Sequence, residues 1–145
     1  MNNTISIGNA GEYFVAGELE RRGFTVAVPM SNVEMFDLLI FNRESKKQFA
    51  IQVKTNKSNK KEWIMSKKNE KIAEENIFYV LVCMNGLNNP EYHIVPSQFV
   101  SKVITERHHR WLNTPGKNGV KHNDSSMRKF EDYTDNFLNS WDLLK

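Results

Sequence analysis

The sequence predicts an α/β fold, a central mixed β-sheet flanked by helices. Three observations predict it. Apolar residues recur at helical spacing before Gly23, two strand-like runs follow between residues 36 and 54, and residues 77–84 form an unbroken apolar stretch. At 145 residues, 39% of them hydrophobic, the chain suits one ordinary core and is short for two, so a single domain over residues 1–145 is expected.

Over residues 11–22, Phe14, Val15 and Leu19 recur among Glu12, Glu18, Glu20, Arg21 and Arg22, and Gly23 supplies a C-terminal stop. This predicts an amphipathic first helix. Residues 24–28 are β-branched and aromatic and end at Pro29, which marks a short strand. Residues 37–41 read as a central strand with its only charge, Asp37, at its mouth, and residues 49–54 read as the returning antiparallel strand. On that strand Phe49, Ile51 and Val53 share one face while Gln52 and Lys54 share the other.

Beyond a polar connection, residues 63–65 suggest a short strand and residues 66–75 a helical segment. Residues 77–84 are the clearest buried strand and 92–95 its partner. Ser97 follows Pro96 and is placed to cap a helix running to Trp111. Residues 114–126 form a loop rich in Gly, Asn, Lys and Ser. From 127 to 144, Phe130, Tyr133, Phe137, Leu138, Trp141 and Leu144 recur at roughly helical intervals, which predicts a docked C-terminal helix.

Net charge is only +3, a weak general attraction for polyanions, but residues 46–71 carry nine lysines against Glu62 and Glu70 alone. Within that basic stretch Lys57, Lys60, Lys61, Lys67 and Lys68 are candidate contacts for a nucleic-acid backbone, and Trp63 a candidate for base stacking. Cys83 is the sole cysteine, which excludes an intramolecular disulfide and a cysteine-rich zinc site and reads as a small buried hydrophobe. There is no basic-then-apolar leader and no apolar run of membrane-spanning length, so a soluble, cytoplasmic protein is expected, with no membrane partner.

The chemistry resides in Glu12 on the first helix, Asp37 at a strand mouth, and Gln52 and Lys54 on the paired strand. Cutting a phosphodiester requires a hard cation on oxygen ligands, an activated water, and positive charge where oxyanion charge develops. Asp37 suits the principal ligand, with Glu12 a direct or water-mediated second ligand. The Gln52 side-chain oxygen and the Val53 carbonyl complete the shell, and Lys54 orients water or stabilises the transition state. Each residue also has an ordinary explanation. Glu12 could face solvent, Asp37 could end a strand, and Lys54 could blunt a sheet edge. Glu18 and Glu34 are alternative acids, and His93, His108, His109 and His122 show no paired ligand spacing.

Gly11-Glu12, Asp37-Leu38 and Ile51-Gln52-Val53-Lys54-Thr55 resemble the PD-(D/E)XK nuclease superfamily, nearest to Holliday-junction-resolvase-like and Mrr-type restriction endonuclease-like domains. The resemblance covers about the first third of the chain and implies a restriction-endonuclease-like core. It also implies a deoxyribonuclease of restriction-like or repair-like type, using Mg2+ or alternatively Mn2+, with DNA as partner and a homodimer for cutting both strands. Phe36 stands where the motif's name has proline, and Gln52 where the pattern has Asp or Glu, although some Mrr-like members are similar in carrying glutamine. The competing reading is a catalytically weak or inactive nuclease-like module that binds nucleic acid or a protein. The residues do not separate DNA from RNA.

Overall fold

Helix α1, Thr4–Arg21, starts where the Asn3 side chain accepts the Ser6 amide at 2.7 Å, in a computed structural model that describes residues 3–145. It begins seven residues before the expected start. Its end is as expected: Gly23 takes φ +101°, a left-handed conformation that costs a side-chain-bearing residue but not glycine. Strands β1 (Phe24–Ala27), β2 (Leu38–Asn42) and β3 (Gln48–Asn56) form an antiparallel meander. The chain then crosses through β4 (Glu62–Ser66) and a 3₁₀ turn, Lys67–Lys71, to β5 (Ile77–Cys83), which lies parallel to β3. Strand β6 (Glu91–Pro96) closes a five-stranded mixed sheet of order β1-β2-β3-β5-β6.

The two faces of this sheet are covered differently. On one, α1 buries Val15 and Leu19 against Leu38, Ile40, Phe49, Ile51, Val53 and Val80. On the other, Trp63 and Met65 of β4 and Phe130 of β7 (Met127–Glu131) pack with Val100 and Ile104 of α2 (Ser97–Asn113) over Tyr79, Leu81 and Val95. All seven β5 residues are buried, which explains a run with no alternation. At about 1.5–3 kcal/mol per large apolar side chain, these two clusters hold the sheet between its covers. Among the described residues, no helix is long and apolar enough to cross a membrane.

Three expectations need correction. The predicted C-terminal helix is instead β7, paired antiparallel with β4, then turns, then one 3₁₀ turn at Trp141–Leu144. The Asp132 carboxylate accepts the Asn136 amide at 2.9 Å and the Phe137 amide at 3.0 Å, and Asp135 and Asn139 take left-handed φ, so the segment coils back on itself. Trp141 and Leu144 still dock, but into the α1-side core, where the Leu144 carbonyl accepts the Asn42 amide side chain at 2.9 Å. The helix expected at 66–75 shrinks to the 3₁₀ turn because Asn69 folds back to accept the Ser66 amide at 2.8 Å and donates to the Tyr79 hydroxyl at 2.9 Å. Finally, Ser97 does not cap α2: its hydroxyl donates to the Glu74 carbonyl at 2.7 Å, and Pro96 holds the cap position without a side-chain bond.

Candidate active site

Strand β3 has nine residues and β2 five, so past Ile51 the β2 side of β3 has no strand beside it among the described residues. Asp37 takes that place. Its amide donates to the Ile51 carbonyl at 2.7 Å, and its Oδ2 accepts the Val53 amide at 2.8 Å. A side chain thus continues the ladder where backbone has run out. The N–H and C=O of a residue paired in an antiparallel ladder face the same neighbour, so the Val53 carbonyl opens on this edge too.

The β2–β3 register ends at the pair Leu38–Ile51, and the bonds of Asp37 to the Ile51 carbonyl and the Val53 amide hold its carboxylate beside the stretch of β3 that carries Gln52. Gln52 Oε1 is buried and has no hydrogen-bond partner among the described residues. Such a group costs about 1–3 kcal/mol until something satisfies it. Lys54 follows two residues on, sharing the Gln52 face. Burial pushes the Asp37 carboxyl above its ordinary value, and the Val53 amide and the Lys54 charge offset this only in part.

Glu12 reaches this edge from α1. The helix passes so close to β3 that a Cβ on Gly11 would lie 1.9 Å from Thr55 Oγ1 and 2.9 Å from Thr55 Cβ. Only glycine fits there. The Glu12 carboxyl is also raised, first by burial and then by the negative charge of Asp37. Two carboxyls with disfavoured charges, an unpartnered amide oxygen and a backbone carbonyl make an all-oxygen donor set, and this fits a hard divalent cation.

The predicted backbone contacts divide. Lys67 and Lys68 are exposed on the 3₁₀ turn and line a groove with Glu34 and Met35 of the loop leading to Asp37. Lys57 and Lys60 are exposed beyond the end of β3, whereas Lys61 is held in an ion pair with Asp135. Trp63 is not a base-stacking residue: it is 2% exposed, and its Nε1 donates to the Val82 carbonyl at 2.9 Å. A ring with no free face belongs to the core. Glu18 is committed to Arg22 at 2.8 Å and Arg21 at 3.5 Å, and Glu34 is an exposed partner of Lys68. His93 lies on β6, separated from β3 by β5.

Residues 2–81, just over half of the chain, match the family described as PD-(D/E)XK endonuclease, and the matched span carries Glu12, Asp37, Gln52, Val53 and Lys54. The chain belongs to the PD-(D/E)XK endonuclease family. Two solved structures share the family's architecture with it. A bacterial homing endonuclease, I-Ssp6803I, superposes with a TM-score of 0.57 at 13% identity, covering 99% of this chain and 92% of its own. The Holliday junction resolvase Hjc of the archaeal hyperthermophile Archaeoglobus fulgidus gives 0.50 at 13% identity, covering 86% and 84%. At that identity the likeness establishes the fold alone. No curated protein matches the sequence.

One cluster escaped sequence reasoning. Cys83, Glu91 and His93 bring a sulfur, a carboxylate oxygen and a ring nitrogen within 4.8 Å of one another on β5 and β6. The available signal was Glu91-Tyr92-His93 on a strand, whose outer members share a face, opposite the last residue of the preceding strand.

Proposed function

We propose that this PD-(D/E)XK nuclease is a metal-dependent deoxyribonuclease of restriction-like or repair-like type, hydrolysing phosphodiester bonds in a single domain over residues 1–145. The supporting observation is the oxygen-only donor set at one sheet edge, centred on Asp37 where its side chain replaces a missing strand. Asp37 Oδ1, left free by the Val53 bond, Glu12, Gln52 Oε1 and the Val53 carbonyl would hold Mg2+, or Mn2+ in its stead. When bound, the cation supplies Lewis-acid polarisation of the phosphoryl group and lowers the pKa of water beside it. Lys54 places an ammonium next to Asp37, able to orient the attacking water or donate to a phosphate oxygen as charge develops there. Val53 keeps Asp37 from rotating away, and Gly11 keeps Glu12 close. Lys57, Lys60, Lys67 and Lys68 would contact the DNA backbone. One site cuts one strand, so cutting both calls for a homodimer or a second encounter.

A second reading rests on Gln52, which contributes no charge to the cation site: a nuclease-like module that binds nucleic acid or a protein and cuts weakly or not at all. Cleavage of duplex, single-stranded and branched DNA, and of RNA, with Mg2+ and Mn2+, decides between them. The enzyme reading expects metal-dependent cutting lost in Asp37→Ala and Lys54→Ala. DNA binding without cleavage in either metal would overturn it in favour of the module.

A further inference from the structure

We propose that Cys83, Glu91 and His93 form a second metal site, for one divalent cation of the zinc class, distinct from the oxygen site at Asp37. Cys83 ends β5 and pairs in register with Glu91, and His93 lies two residues further along β6, so all three side chains stand on one sheet face. Their donor atoms lie within 4.8 Å of one another. Tetrahedral zinc bonds of about 2.0–2.3 Å set ligand atoms roughly 3.4–3.8 Å apart, so closure by about 1 Å completes the set. Glu91, partly exposed, has the freedom to provide it.

The geometry around His93 favours a cation over a bare polar cluster. His93 is fully buried, and its Nδ1 lies 2.6 Å from Asp132 Oδ2. Asp132 is in turn fixed by the amides of Asn136 and Phe137. A carboxylate so placed holds the proton on Nδ1 and leaves Nε2 as the lone-pair nitrogen, the arrangement that orients metal-binding imidazoles. Nε2 is buried with no hydrogen-bond partner among the described residues, and so is Glu91 Oε2. Two buried acceptors without a donor between them are costly unless a positive charge joins them. The ring is backed by Trp63, 5.1 Å away between centroids, which shields the site from water on that side.

Ligand chemistry selects the metal. A thiolate, an imidazole and a carboxylate suit zinc, whereas magnesium prefers oxygen alone. Cys83 Sγ, which donates to the Lys60 carbonyl at 3.2 Å, would lose its proton to solvent on binding. The fourth position falls to a water, because Asn56 turns its amide nitrogen, not its oxygen, toward Cys83 Sγ at 3.8 Å. A cation here would staple β5 to β6 and, through Asp132, to the segment after β7. It would act in folding whether or not the Asp37 site cuts DNA.

Cobalt reports this site cleanly, because Cys83 is the only cysteine and any thiolate-to-cobalt charge-transfer absorption must come from it. The 145-residue chain carrying Asp37→Ala, stripped with chelator, is titrated with Co2+ and then Zn2+. The expected result is one equivalent of Co2+ with thiolate absorption, displaced by Zn2+, and a higher unfolding midpoint that chelator reverses. Cys83→Ser should abolish the absorption, and Glu91→Gln, on the rim, should weaken binding by about tenfold or more. Absence of thiolate absorption at stoichiometric Co2+ overturns the proposal, as does Zn2+ stabilisation that is undiminished in both variants.

Discussion

Asp37 and Val53 are joined across the mouth of the β2–β3 hairpin, the Val53 amide donating to the Asp37 carboxylate at 2.8 Å. The same side chain proposed as the principal cation ligand is therefore the last rung of a β-ladder. Its two roles are separable, because an amide oxygen can accept from Val53 without carrying a charge.

Asp37→Asn should therefore stabilise the metal-free protein at neutral pH. The Asp37 carboxyl is raised in the folded state by burial, so folding disfavours its charged form. Its contribution is most favourable below the unfolded-state pKa and is lost as pH rises through the raised folded value. Wild type and Asp37→Asn should thus melt together under acid conditions and diverge toward pH 7, with the variant more stable. Glu12→Gln should behave alike, because the Glu12 carboxyl is raised too. Thermal melts in chelator across pH check this, and a gap that does not change with pH would refute it.

Gln52→Glu should tighten Mg2+ or Mn2+ binding by roughly tenfold or more, because ligand charge count sets the affinity of oxygen sites. Gln52→Leu should do the reverse while raising metal-free stability, since it removes a buried oxygen that has no partner. Calorimetric titration with each metal, alongside chemical denaturation, separates the two effects. Unchanged affinity in both variants would remove Gln52 from the cation shell.

Two glycines in α1 make a controlled pair. Gly11→Ala forces a methyl into Thr55 and should cost about 1–3 kcal/mol, displacing Glu12 and weakening cation binding. Gly17 has nothing within 4 Å of an added Cβ, so Gly17→Ala should stabilise the helix by about 0.5–1 kcal/mol and leave cation affinity alone. Denaturant midpoints compare them directly; equal effects would mean that the close approach at Thr55 does not matter.

Trp63→Ala should cost about 3–5 kcal/mol of stability, as loss of a core aromatic does, without altering the salt dependence of DNA binding. Lys67→Ala and Lys68→Ala should leave stability unchanged and each reduce the slope of log K against log salt by about 0.9. Binding isotherms at several salt concentrations test this. A Trp63 variant that folds normally but loses DNA affinity would restore the stacking role.

The strands of the five-stranded sheet were legible because their signals are local: alternation in β3, an unbroken apolar run in β5, and Asp37 as the lone charge at a strand mouth. The placement of Glu12 on α1, of Asp37 just before β2, and of Gln52 and Lys54 on one face of β3 was legible for the same reason. What the sequence hid depended on distant partners. Trp63 looked like part of a basic surface until its indole found the Val82 carbonyl across the sheet. Phe130, Tyr133, Phe137 and Trp141 kept helical spacing by coincidence, since pairing of β7 with β4 and the Asp132 turn decide their conformation. Cys83 read as a hydrophobe because His93 and Glu91 approach it only once β6 has paired with β5.

The bond between Asn42 and the Leu144 carbonyl spans 102 residues of chain, and Trp141 and Leu144 complete the packing begun by Val15 and Leu19. During synthesis, then, the hairpin that carries Asp37 leaves the ribosome long before its apolar floor can be sealed. Nascent chains stalled short of residue 141 should expose Leu38, Ile40 and Phe49 to protease or chaperone, and chains released past residue 144 should not.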